Sequence, residues 1–153
     1  MEPIFNTALD FGCYVYCYWK ERQRKIGNTQ LQKFMYLVYG AMLTWHDRRV
    51  IAETPKALPY GPVFSILDNF EEVKAFQGTT NDDRFKNANG DKEFMDTIGN
   101  VYDVMGSWSA GGLVTLMHEE GSAWSITKST PGFVYGDFIQ DRHTIEWIRS
   151  LSK

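Results

Sequence analysis

The segment "HEEGSAW", His118 to Trp124, sets an imidazole beside two carboxylates and an indole. His118 with Glu119 or Glu120 would make an acid–base couple. Neighbours on a helix, however, point about 100° apart, and a histidine at a helix C-terminus has a structural use in meeting free carbonyls. Capping or hydrogen bonding is therefore the expected role of His118, with acid–base catalysis as the alternative. Trp124 reads as a core or interface anchor rather than a ligand platform. Cys13 and Cys17 stand four apart, on one face of a helix and near the distance limit for a disulfide. Reduced, buried thiols are expected, because His46, His118 and His143 lack the paired spacing that would complete a zinc site.

A second stretch, "ALPYGPVFSIL" from Ala57 to Leu67, joins Tyr60, Gly61 and Pro62 ahead of an apolar run. Glycine permits unusual backbone angles and proline pre-sets a first helical turn, so Gly61-Pro62 is expected to start a helix. Tyrosine is not required for that. Its ring could be buried with the hydroxyl handed to a polar group elsewhere, His118 being a possible partner. The chain has no P-loop, dinucleotide-binding glycine fingerprint, HExxH, G-x-S-x-G or CxxC. The expectation is a protein with no catalytic residue, no cofactor and no metal.

The elements that must position these residues follow from periodicity. Pro3, then Ile4, Ala8, Phe11, Val15 and Tyr18, predict a helix over about residues 3 to 24, ended by Gly27. Thr29 and Gln32 have capping-box spacing for a second helix, apolar nearly all round and therefore central, that ends near His46. Val50-Ile51 and Lys56-Ala57-Leu58 read as short extended pieces, broken by Pro55 and closed by Pro59. Val63, Ile66, Leu67, Phe70 and Val73 predict the helix that Pro62 begins. Residues 77–90, rich in turn formers, predict an exposed loop.

Phe94 to Met105 predict a fourth helix ended by Gly106, and Ser109 caps a short one running into His118. "GSAWSITKSTPGFVYG" reads as irregular. Asp141 is expected to cap a last helix with Ile145, Ile148 and Leu151 on one side. Strand-like pieces before the third helix and around Phe138-Ile139 could pair. The fold class is thus mainly α, about six helices with a small two- or three-strand β element, in a single compact domain over residues 1–153.

At 153 residues the length suits one core, and 43% hydrophobic with 15% aromatic residues is a folding composition. Sixteen basic and nineteen acidic residues give a net charge of −3, which argues against a grip on nucleic acid. The basic cluster Lys20 to Lys25 contains Glu21 and reads as a helix-end charge or a solvated face. With no apolar run long enough to span a bilayer, no membrane partner is expected and the location is cytoplasmic.

With these residues in place, "NTQLQKFMYLVYGAML" resembles the N-L-x-K-L-Q-K-L-L-Y-x-A-Y-G helix of the Panacea-domain, or SocA-like antitoxin, family of bacteria and their phages. "LPYGPVFSIL" is similar to its A-W-x-Y-G-P-V-x-x-x-Y segment, and "LVTLMHEEGSAW" to its L-S-x-L-T-H-x-x-x-P-W segment. The resemblance picks out Leu31, Gln32, Lys33 and Tyr36, then Tyr60, Gly61, Pro62 and Val63, then His118 and Trp124. Leu58 stands where the family has an aromatic, Ser122-Ala123 replaces the residues before the tryptophan, and the second tyrosine after the turn is missing. What the resemblance implies is an antitoxin that neutralises a cognate toxin by direct binding, in one type by delivering it to a cytosolic protease. The alternatives are a phage- or mobile-element-borne inhibitor of another host or defence protein, and a small enzyme using His118 with a carboxylate.

Overall fold

The computed structural model describes residues 2–65 and 69–151. Helix α1 runs Ala8–Glu21, starting later than Pro3 suggests. Ile4 and Phe5 are buried, and the Phe5 amide is held by the Val50 carbonyl at 3.0 Å, so the segment before Thr7 is pinned across the core rather than coiled. Thr7 caps α1 by accepting from the Asp10 amide at 3.0 Å. The helix stops at Arg22, before Gly27, and Gln23 turns the chain with φ 60°. Cys13 and Cys17 are free and buried, and burial pushes both thiols up to about 11.

Helix α2, Asn28–His46, is the central element: every residue from Leu31 to Thr44 is buried. Gly27 occupies its N-cap position without a side-chain bond, so the Thr29/Gln32 capping box is not formed; Gln32 is buried and used elsewhere. Strands β1, Lys56–Leu58, and β2, Gly61–Val63, form an antiparallel hairpin with Pro59-Tyr60 as its turn.

The hairpin corrects the expectation that Gly61-Pro62 opens a helix. Ala57 faces Pro62, and its amide and carbonyl are both engaged on the other side, with the Asp137 carbonyl and the Gly136 amide at 2.8 Å each. Pro62 therefore sits opposite a residue that asks it for no N–H, and a strand tolerates it there. The expected pairing with the Phe138 region does form, through a bridge between Lys56 and Phe138. Ile66 and Leu67 lie outside the described residues; the helix beyond them, α3, is Phe70–Ala75.

Residues 77–90 are more ordered than the loop expected from their composition. A turn of tight helix at Asp83–Phe85 leads into α4, Lys86–Asn89, and Phe85 and Ala88 are fully buried. Phe85 packs edge-on to Tyr14 and Phe76, with ring centroids 5.2 and 5.8 Å away. Helix α5, Lys92–Met105, is capped by Asp91, and α6, Ala110–His118, by Ser109, each accepting a backbone amide at 3.0 Å. A further helix, α7 at Ala123–Lys128, occupies a stretch that reads as irregular; Ser122 caps it and Trp124 is its buried anchor. Helix α8 is Asp141–Leu151.

The fold is mainly helical with a two-strand sheet, and α1, β2, α5, α6 and α8 all pack on α2. Among the described residues no helix is long and apolar enough to cross a membrane.

Candidate functional site

Gln32 and Lys33 leave the first turns of α2 as adjacent, buried polar side chains, each 1% exposed. Polar groups buried that deeply need partners, and both find them on the hairpin's main chain. Gln32 meets Phe64 as another strand would, its Oε1 accepting from the Phe64 amide at 2.8 Å and its Nε2 donating to the Phe64 carbonyl at 3.2 Å. Lys33 donates from Nζ to the Pro62 carbonyl at 2.9 Å. Burial lowers the Lys33 ammonium from 10.5 to about 8.

The hairpin's other side is held from the C-terminal half. His118, at the end of α6, has Nδ1 2.7 Å from the Val114 carbonyl and Nε2 2.9 Å from the Pro59 carbonyl. A carbonyl only accepts, so a ring nitrogen of His118 that carries a proton donates to the carbonyl it faces. Trp124 donates from Nε1 to the Leu58 carbonyl at 2.7 Å, and its ring lies 4.1 Å from the imidazole, centroid to centroid. The Ser122 hydroxyl, bonded to the Met117 carbonyl at 2.8 Å, ties the start of α7 to the end of α6.

Gln32, Lys33, His118 and Trp124 thus converge on the carbonyls of residues 58, 59, 62 and 64. Gly61 makes the convergence possible. Its φ of +113° belongs to glycine, and a β-carbon there would lie 3.1 Å from Lys33 Cε and 3.5 Å from His118 Cε1. Val63, the last residue of β2, is buried. Leu31 and Tyr36 lie further from it: Leu31 is core, and the fully buried Tyr36 hydroxyl pairs with Thr144 at 2.8 Å.

Tyr60 departs from expectation. Its side chain is 69% exposed at the hairpin tip, and among the described residues its hydroxyl makes no bond to His118, whose nitrogens are taken by main chain. An open cleft of about 450 Å³ lies beside it, between Pro59, Val114, Thr115, His118 and Glu119. Glu119 and Glu120 are exposed and do not bond the imidazole, so the acid–base couple is not assembled.

Periodicity missed a second polar group. Asp141 does not cap α8 with its side chain; its carboxylate accepts from the Tyr39 hydroxyl at 2.7 Å and is ion-paired with Arg49. Tyr39, three residues after Tyr36 on the buried face of α2, was the available signal, since a buried phenol needs a partner. Among the described residues there is no cluster of three or more histidine, cysteine or acidic side chains suited to a metal.

Compared with models of known families, residues 31–125 match the antitoxin SocA-like, Panacea domain. No curated protein and no solved structure matches the chain. The matched segment holds the four side chains that grip the hairpin, Gln32, Lys33, His118 and Trp124.

Proposed function

The chain belongs to the SocA-like antitoxin, Panacea-domain family, and from that premise we propose that it is a non-catalytic module that neutralises a cognate toxin by binding it, with the hairpin tip as part of the contact face. The observation that carries this reading is the use of the motif side chains. Four buried or half-buried polar groups hold one short hairpin and leave Tyr60 projecting into solvent. An exposed tyrosine on a rigid support loses little conformational freedom on binding, which is the character of an interface anchor. A general base needs a ring nitrogen free to take a proton, and both nitrogens of His118 face carbonyl oxygens, which speaks for the binding reading over the enzymatic one.

The test is co-expression with the product of the adjacent open reading frame. That product should be toxic alone, harmless with this chain, and co-purify with it. Tyr60→Ala should weaken the complex about tenfold or more while leaving the melting temperature unchanged. A neighbour that is harmless alone and does not co-purify would overturn the proposal. Handover to a cytosolic protease is a further step, expected to appear as faster, protease-dependent loss of the toxin when the two are co-expressed.

A further inference from the structure

The run Lys20 to Lys25 is more defined than a solvated helix end. The Arg22 guanidinium lies 3.4 Å from the Tyr18 ring centroid and 5.5 Å from that of Tyr102 on α5. Arg24, beyond the left-handed turn at Gln23, lies 4.9 Å from Trp19 and 5.6 Å from Tyr102. Two guanidinium groups are therefore held against rings contributed by two helices. Arg22 uses Nη1 on the Tyr18 carbonyl at 3.0 Å, which leaves most of its donors open.

The acid inside the run does not neutralise it. Glu21 turns to Thr80, accepting from its amide at 2.9 Å and its hydroxyl at 2.8 Å. Asp103 acts on Tyr18 but forms no ion pair with either arginine, and among the described residues Lys20, Arg22, Arg24 and Lys25 have no ion-pair partner. A chain of net charge −3 thus keeps one uncompensated basic patch whose planar forks are already oriented.

We infer that this patch docks an acidic segment, a run of aspartate or glutamate side chains, on the protein that the module binds. Stacked guanidinium groups suit carboxylates in two-pronged pairs. A protein is favoured over nucleic acid because the patch holds only a few charges on an acidic chain. The inference rests on the protein-binding function proposed above.

The experiment titrates the full chain against a fluorescein-labelled ten-residue peptide of alternating glutamate and aspartate, and separately against a ten-nucleotide single-stranded DNA. The peptide should bind, more weakly at 200 than at 50 mM salt, by about tenfold less in R22E/R24E, and with partial retention in R22K/R24K, which keeps charge without the planar fork. Melting temperatures of both variants check that the fold survives; if R22E/R24E unfolds, the lysine variant and the salt series decide. No peptide binding by the wild type, equal binding by the variants, or tighter binding to DNA than to peptide overturns the inference. These outcomes are read without the toxin, so failure of the antitoxin proposal shows separately, in the co-purification.

Discussion

Lys33 buries a charge with one carbonyl and no counter-ion, an arrangement that destabilises the folded state while the ammonium is protonated. Its folded pKa of about 8 lies below the ordinary 10.5, so between those values the unfolded chain holds a proton that the folded chain has shed. The contribution of Lys33 to stability therefore rises with pH across that window, by up to about 3 kcal/mol. Cys13, Cys17 and Tyr14, raised to about 11, 11 and 12, act oppositely above pH 9 to 10. The readout is accordingly the difference between wild type and Lys33→Met in urea unfolding from pH 7 to 10.5, and a difference that stays flat would refute the buried-ammonium account. Gly61→Ala should cost about 1–3 kcal/mol in the same assay, through the positive φ and the crowding of Lys33. At this scale the sequence draws attention to Gln32, Lys33, His118 and Trp124, which the fold brings to the hairpin, and pairs Tyr60 with His118, which the fold does not. Residue types display only side-chain partners, whereas a hairpin offers carbonyls that no sequence pattern displays, and the Pro59 carbonyl is what His118 meets.

The elements are joined by charges at helix ends. Asp91 caps α5 through the Phe94 amide and pairs with Arg48, just past the end of α2, and Arg48 also binds Glu93 at 2.8 Å. The hydrogen bond from Arg48 holds the Asp91 carboxyl below its usual range. A carboxylate with a depressed folded pKa stabilises above its unfolded pKa, and that stability fades as pH falls through the folded one. Asp91→Asn keeps a good cap but removes the charge, so it should lower stability at pH 7 and flatten the loss below about pH 4. Asp91→Ala should cost about 1 kcal/mol more, being the cap itself, in the same urea series. An Asn variant with an unchanged acid limb would show that the pair is screened out. The Ser109 cap of α6 is legible in the sequence because it precedes an apolar stripe, whereas the Asp91 cap of α5 emerges only from the structure. Helix α7 is not legible, since with six residues it has too few turns to show a period. Pro62 was misread for a related reason: proline fixes φ in strand and helix start alike, and only the Ala57 partnership with residues 136–137 distinguishes them.

At the scale of the molecule, α2 needs partners on every side, and the segment that matches the family, residues 31–125, excludes two of them, α1 and α8. The contact with α8 is close: a β-carbon on Gly40 would lie 3.0 Å from both Thr144 Cγ2 and Ile148 Cγ1. Trp147 stacks on Tyr36 with centroids 6.1 Å apart, Thr144 takes the Tyr36 hydroxyl, and Asp141 takes that of Tyr39. Removing α8 would therefore expose an apolar helix face and leave two phenols without partners in the same step. A chain ended at Gln140 should lose its sigmoidal thermal transition by circular dichroism and gain binding of a hydrophobic dye, and a separate peptide of residues 141–153 should restore the transition. A shortened chain that melts cooperatively within a few degrees of the full one would instead make α8 an appendage. In that case the core would close around α1, α2, α5 and α6, and the hairpin grip would stand without the C-terminal helix. The expected result ties them together, because Tyr36 lies one turn beyond Gln32 and Lys33 on α2, so loosening α8 loosens the helix that holds the hairpin.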